Sequence, residues 1–64
     1  MPKNKRLRAA RVLREMTQLE LAGRVGLKEI EISRLETGRM KPDTELKARI
    51  AEVLRKPVFE IFDF

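Results

Sequence analysis

The side chains with the clearest chemical use in this chain lie between positions 28 and 37. If this segment is a helix turning about 100° per residue, Ile32 and Leu35 point to one side. The other side carries a mixture of groups: Ile30, Ser33, Arg34 and Thr37, with Glu29 on the flank and Lys28 at the leading end. Such a surface can contact base edges, and Ile30 can contact the methyl group of thymine. The segment therefore predicts a helix that reads bases, although an exposed isoleucine alone is common on protein surfaces.

A pair of short helices joined by a glycine turn is predicted over about residues 17–37. Thr17 can accept a hydrogen bond from the amide of Glu20, and the Glu20 carboxylate can reach back to the Thr17 amide, which forms a capping box. Gly26 supplies the left-handed residue that ends the first helix of the pair. The second helix of such a helix-turn-helix unit usually enters the major groove of DNA. The alternative is a helical hairpin with an ordinary glycine turn.

Apolar spacing predicts three more helices and no strand. The first runs from about 4 to 15, with apolar residues three apart: Leu7, Ala10, Leu13 and Met16. The fourth runs from about 43 to 55 and has one apolar side: Leu46, Ile50, Val53 and Leu54. Pro57 suits the first position of a short fifth helix. Because 64 residues provide one small core, we predict a single all-α domain over residues 1–64, a compact five-helix bundle.

The chain is basic, with 15 lysines and arginines against 10 acids, a net charge of +5 and a pI near 10.3. The imbalance is greatest in residues 1–14, which contain no acid. This distribution favours a polyanionic partner. The alternative is a helix that its charge merely keeps soluble.

Cysteine and histidine are both absent, which removes most metal sites and general bases. The remaining carboxylates, lysines and hydroxyls form no evident cluster, and so short a chain has little room for a deep catalytic cleft. No apolar run is long enough for a signal peptide or a membrane span. We therefore expect a cytoplasmic protein that is not an enzyme, with no catalytic residue, no metal and no cofactor.

Arg11 and Glu36 are predicted to form a partly buried ion pair. Arg11 lies beside Leu7 and Ala10 on the inward side of the first helix, and Glu36 follows the core residue Leu35. Such a pair would fix the orientation of the two helices more surely than it adds stability. The alternative is two independently solvated charges.

The chain resembles the phage repressor and Cro family of helix-turn-helix domains, also called the XRE family, over nearly its whole length. The resemblance is carried by residues at the family's spacing: Arg11, Thr17, Gln18, Glu20, Leu21, Ala22, Gly26, Ile32, Ser33, Glu36, Gly38, Pro42, Leu46, Ile50, Ala51 and Leu54. Family members are five-helix DNA-binding domains that commonly act as dimeric transcriptional repressors, or as antitoxins that also bind their own promoters. The resemblance therefore implies a bundle of the repressor-like helix-turn-helix type.

The resemblance also implies roles for single residues. The predicted base-reading positions are Lys28, Glu29, Ile30 and Arg34, to which the outward placement of Ser33 adds a fifth. The predicted phosphate contacts are Thr17, Gln18, Thr37, Arg39 and Lys41, and the basic residues of the first helix are predicted to neutralise further phosphates. Phosphate contacts would set affinity and register, whereas only base contacts would set sequence preference.

Three features depart from the family pattern. Glu15 stands where the family often has glycine, so the end of the first helix is expected to differ. Lys28 stands where Ser or Thr usually caps the base-reading helix, which leaves that helix without its ordinary side-chain acceptor. Glu29 and Glu31 bring negative charge near phosphates, which is costly unless an acid accepts from cytosine N4 or pairs with a cation.

Residues 59–64 contain all three aromatic side chains of the protein. A short helix cannot direct all three inward, so Phe59 or Phe64 is expected to be exposed and available for a homodimer contact. The alternative is a fifth helix that covers the core completely. Two symmetric subunits would read half-sites about 34–36 Å apart.

The pattern as a whole predicts a sequence-specific, double-stranded DNA-binding transcriptional regulator, most simply a repressor, with residues from about 28 to 37 in the major groove. The competing class is an antitoxin-like or adaptor protein-interaction module, which would use the same fold to bind a toxin or another regulator. The acids of the base-reading helix keep this second class open.

Overall fold

The computed structural model describes residues 3–62, which form five helices and no strand. The helices are α1 (Lys5–Leu13), α2 (Gln18–Val25), α3 (Glu29–Glu36), α4 (Thr44–Leu54) and α5 (Val58–Ile61). The predicted all-α, five-helix architecture is thus confirmed. Pro57 is not the first helical residue as predicted, because its ψ of 148° is extended and it lies one position before α5.

Side-chain caps explain where three of the helices begin. The Asn4 side chain accepts the Leu7 amide at 3.0 Å to start α1, and Asp43 accepts the Leu46 amide at 2.8 Å to start α4. Thr17 accepts the Glu20 amide at 3.0 Å, and the Glu20 carboxylate accepts the Thr17 amide at 3.0 Å. Each cap of this kind stabilises the fold by about 1 kcal/mol.

The start of α3 uses a different acceptor. A lysine side chain has no hydrogen-bond acceptor, so the Lys28 side chain does not cap α3. The Glu31 carboxylate instead accepts the Lys28 amide at 2.9 Å. Glu31, one of the two acids noted in the base-reading helix, therefore accepts a hydrogen bond from the backbone at the start of that helix.

Residues in the left-handed backbone conformation follow α1 and α2 and change the direction of the chain. Gly26 has φ 77° at the end of α2, and glycine adopts this conformation without strain. Glu15 has φ 55° after α1, although it carries a β-carbon that disfavours positive φ. The family often has glycine at this turn, whereas here Glu15 adopts the same left-handed conformation with backbone strain.

Replacing Glu15 with glycine is expected to stabilise the protein by about 0.5–1 kcal/mol, because glycine adopts the φ of 55° without a steric penalty. For a domain of this size the melting temperature should rise by a few degrees, about 4–8 °C per kcal/mol, in thermal unfolding followed by circular dichroism. Glu15→Ala is the control, since it removes the carboxylate and keeps the β-carbon. Equal melting temperatures for the two variants would contradict the strain argument.

All five helices contribute to one core. Its fully or nearly buried apolar residues are Leu7, Ala10, Leu21, Ala22, Val25, Ile32, Leu35, Leu46, Ile50, Ala51, Leu54, Ile61 and Phe62. α2 packs on both α3 and α4, while α5 packs on α1 and α4. The inner side of α3 is therefore fixed by apolar contacts.

The apolar spacing of three in α1 does not follow the buried side of the helix, since Leu13 is 70% exposed. Residues three apart advance by about 300°, so Leu13 lies about 120° around the helix from Leu7. Arg11 lies only about 40° from Leu7 and is buried in its place. The inward side of α1 therefore runs through Leu7, Ala10 and Arg11.

Candidate nucleic-acid interface

The outer side of α3 is open to solvent along its length. Ile30 is 52% exposed, and Lys28, Glu29 and Arg34 are exposed as well. Ser33 is half-buried. The five predicted base-reading residues thus lie at the N-cap position and along the outer side of α3, where four of them are exposed and Ser33 is half-buried.

The inner side of α3 packs against α2. Ala22 of α2 is 1% exposed, Ile32 of α3 is completely buried, and both belong to the shared apolar core. This packing leaves the outer side of α3 facing solvent.

A second contact that holds the helix-turn-helix unit, from α4 to the end of α2, was not predicted from the sequence. The Arg49 guanidinium of α4 donates to the Val25 carbonyl at 3.2 Å, which satisfies a carbonyl at the end of α2. The only sequence signal was a cation beside the core residue Ile50, and nothing in that signal names its distant acceptor.

A buried polar network joins α1, α2 and α3. Arg11 Nε donates to Glu36 Oε2 at 2.6 Å, and Arg11 Nη2 donates to Glu36 Oε1 at 3.3 Å. The structure thus brings together the two residues expected to pair, 9% and 6% exposed respectively. Arg11 Nη1 also donates to the Met16 carbonyl at 2.7 Å, and Gln18 Nε2 donates to Glu36 Oε1 at 3.0 Å. Both charges are therefore hydrogen-bonded as well as paired.

Two of the predicted phosphate contacts have other partners. Gln18 uses one amide hydrogen on Glu36, which leaves the second amide hydrogen for another acceptor. The Thr37 hydroxyl donates to the Ser33 carbonyl at 3.0 Å and lies 3.3 Å from that of Arg34. A hydroxyl has one proton, so a phosphate contact by Thr37 would have to replace the bond to the Ser33 carbonyl, and its role stays a prediction.

The remaining predicted phosphate contacts lie at the surface. Thr17 is exposed, and its side-chain oxygen accepts the Glu20 amide. Arg39 and Lys41 are exposed in the loop between α3 and α4. Hydrogen bonds from the Thr17 backbone amide, and then from its side chain, lower the pKa of Glu20, so this carboxyl stays ionised at the start of α2.

Comparison with known proteins identifies this arrangement. The helix-turn-helix family model matches residues 7–61. The chain belongs to the helix-turn-helix family. It is 39% identical over 59 residues to an uncharacterised HTH-type transcriptional regulator of Archaeoglobus fulgidus, a match that covers 92% of this chain and 83% of the relative.

A solved structure shows the same helix-turn-helix fold. The restriction-modification controller protein C.AhdI from Aeromonas hydrophila matches with a TM-score of 0.85 and 25% sequence identity, over 92% of this chain and 86% of that chain. The family resemblance seen in the sequence is thereby confirmed. So is the prediction that this helix-turn-helix protein is a DNA-binding regulator rather than an enzyme.

The aromatic residues in and directly after the fifth helix of this helix-turn-helix protein differ in burial. Phe62 is buried with Ile61, whereas Phe59 is 70% exposed. Phe64, the other residue predicted to contact a second subunit, lies outside the described residues. Over residues 3–62, every helix is too short or too polar to cross a membrane.

Proposed function

We propose that this protein represses transcription by binding a specific double-stranded DNA sequence as a homodimer, with α3 in the major groove. The observation that carries the proposal is the uncovered outer side of α3, where Ile30 and Arg34 project away from a buried inner side. Exposed cations of the following loop, Arg39 and Lys41, lie next in the chain. A helix presented in this way fits a major groove.

Base reading is assigned to five residues of α3 and its leading end: Lys28, Glu29, Ile30, Ser33 and Arg34. Arg34 can donate two hydrogen bonds to guanine, Ile30 can contact a thymine methyl, and Glu29 can accept from cytosine N4. Glu31 is left out because its carboxylate holds the Lys28 amide. Glu29 is therefore the acid of α3 to which a base contact is assigned.

Phosphate binding is assigned to Thr17, Gln18, Arg39 and Lys41. Thr17 is exposed at the start of α2, and Gln18 beside it keeps one amide hydrogen for a phosphate oxygen. Arg39 and Lys41 supply exposed positive charge from the loop after α3. These contacts would fix the register of α3 on the duplex without reading sequence.

The repressor role is supported by likeness to regulators and by the family resemblance. The structural neighbour C.AhdI is named a controller protein. A dimer that occupies its operator with two recognition helices blocks access to the DNA beneath it. The alternative, an antitoxin-like or adaptor role, would require a protein partner and no tight DNA contact.

Selection of bound duplexes from a random pool tests the proposal. A dimer should enrich a two-fold symmetric motif whose half-sites are about one helical turn, roughly 10 base pairs, apart. Affinity for the selected duplex should fall steeply as salt rises, since phosphate contacts release counterions. Failure to enrich any motif, with weak and salt-independent binding, would favour the protein-interaction module.

Phe59→Ser is expected to weaken dimerisation at least tenfold in sedimentation equilibrium. A buried phenylalanine side chain contributes roughly 1.5–3 kcal/mol, and a two-fold interface buries two copies. Leu19→Ser is the matched control, because Leu19 is also 63% exposed but lies on α2, away from α5. A monomer–dimer equilibrium that Phe59→Ser leaves unchanged would remove Phe59 from the interface.

A further inference from the structure

An open groove of about 350 Å³, here called the α1–α5 groove, lies between the first and the fifth helix. Its lining residues are Arg6, Ala9, Ala10, Leu13, Lys56 and Glu60. The floor of the groove is apolar, and two of its residues, Ala9 and Leu13, are exposed. The described part of the chain thus leaves apolar side chains of α1 facing solvent at this place.

The groove lies away from the surface assigned to DNA. On α1, Lys5, Arg8 and Arg11 line a different concavity, which they share with Gln18, a predicted phosphate contact. At 100° per residue, the groove residues of α1 centre about 150° around the helix from these three cations. A partner can therefore occupy the α1–α5 groove while the start of α2 stays open to a duplex.

An exposed aromatic side chain stands directly beside the groove. Of the two aromatic residues within positions 3–62, Phe62 is buried and Phe59 is 70% exposed. Glu60, which follows Phe59 in α5, lines the groove. In a two-fold symmetric dimer one patch meets its own copy, so a projection and a depression side by side on one subunit can receive each other. Phe59 and the α1–α5 groove form such a pair.

The charges of the groove also match this end of the chain. Residues 57–64 contain two acids and no cation, whereas the rest of the chain carries all 15 cations against eight acids. Arg6 and Lys56 border the apolar floor. Insertion of Phe59 would bring Glu60 of the second subunit toward them. Lys56 and Glu60 of one chain lie 3.6 Å apart, and such an exposed pair is weak enough to exchange partners between subunits.

We propose that the α1–α5 groove receives the Phe59 side chain of a second copy of this chain, and that the second copy receives Phe59 in return. The proposal rests on the proposed homodimer and deepens it, because α1 then supplies half of the interface. Phe59 packs on Ala9 and Leu13, and Glu60 of the second subunit lies near Arg6. The two Phe59 rings therefore do not stack on each other across the two-fold axis.

Ala9→Glu tests whether the groove must be open. Ala9 is exposed, so the folded subunit can accommodate the longer side chain, which would occupy the groove and repel the incoming Glu60. The dissociation constant of the dimer should rise at least tenfold in sedimentation equilibrium. Ala48→Glu, the same change at an exposed position of α4 outside the groove, should leave it unchanged. A dimer as tight in Ala9→Glu as in the wild-type protein would overturn the proposal.

Charge reversal in two separate proteins tests whether the contact joins two subunits. Arg6→Glu places an acid opposite Glu60 of the second subunit, and Glu60→Arg places a cation opposite Arg6, so each variant alone should dimerise at least tenfold more weakly. When the two variants are mixed, both contacts of the heterodimer join opposite charges, and the affinity should return to near that of the wild-type protein. A mixture that associates no more tightly than its components would overturn the proposal. So would variants that each dimerise like the wild-type protein.

Isotope-filtered NMR locates the aromatic ring. In a dimer of one labelled and one unlabelled subunit, the Phe59 ring protons should show intersubunit NOEs to the methyl groups of Leu13 and Ala9. Intersubunit NOEs between the two Phe59 rings would overturn the groove assignment and leave the homodimer in place. A wild-type protein that stays monomeric, both in solution and on its selected duplex, would instead overturn the proposed homodimer and the groove assignment with it.

Discussion

Glu36→Lys is expected to destabilise the protein by about 3–5 kcal/mol, because it leaves the buried Arg11 guanidinium without its partner and adds a second buried cation. The variant also breaks the hydrogen bond from Gln18. A domain of this size has a total stability of roughly 3–10 kcal/mol, so much of the folding free energy would be lost. Thermal unfolding should show a melting temperature lower by more than about 10 °C.

The matched control is Glu52→Lys, the same reversal at an exposed position of α4. A surface change of this kind should alter stability by no more than about 0.5 kcal/mol. The double variant Arg11→Met, Glu36→Leu should recover much of the loss, since apolar residues of similar volume can replace a buried ion pair. If the Glu36→Lys and Glu52→Lys variants had the same melting temperature, the Arg11–Glu36 ion pair would have no role in holding α1 against α3.

The predictability of this buried pair follows from the helical repeat. Arg11 lies about 40° from Leu7 on the helix, so its inward position can be read from the sequence. The same arithmetic explains why Leu13, three residues after Ala10, lies outside the core. A spacing of three drifts steadily around a helix, and only alternating steps of three and four follow one side.

Contacts between distant segments could not be predicted in this way. The backbone amide of Asn4 donates to the backbone carbonyl of Glu36 at 2.9 Å, which ties the residue before α1 to the last residue of α3. Arg49 donates to the Val25 carbonyl across 24 residues of sequence. Periodicity places a residue on a side of its own helix, but it does not state which distant atom that side meets.

The candidate site shows the same limit. The outward position of Arg34 and Ile30 follows from the repeat of α3, and the structure places both side chains in solvent. Whether a polar atom is free depends on local hydrogen bonds. Thr37 and Glu31 both look available in the sequence, yet each is engaged with the backbone of its own helix.

Arg34→Ala is expected to cost about 1–3 kcal/mol on the selected duplex, at one base position, and to relax preference at that position. The Arg34 carbonyl accepts the Arg39 amide at 2.8 Å and the Met40 amide at 3.2 Å, and these backbone contacts do not depend on the side chain. The substitution therefore removes a base contact without opening the turn after α3. Binding of single-base variants of the duplex, measured by fluorescence anisotropy, checks the result.

Two comparisons separate base reading from charge. Arg34→Lys keeps the charge and loses the planar fork that donates two hydrogen bonds to guanine, so it should relax preference nearly as much as Arg34→Ala while keeping the salt slope. Arg39→Ala should weaken binding evenly across sequences and lower the slope by about 1. Because both arginines are exposed and lie five positions apart, a purely electrostatic interface would respond alike to their loss. Equal effects of Arg34→Ala and Arg39→Ala on specific and random duplexes would therefore show that α3 does not read bases through Arg34.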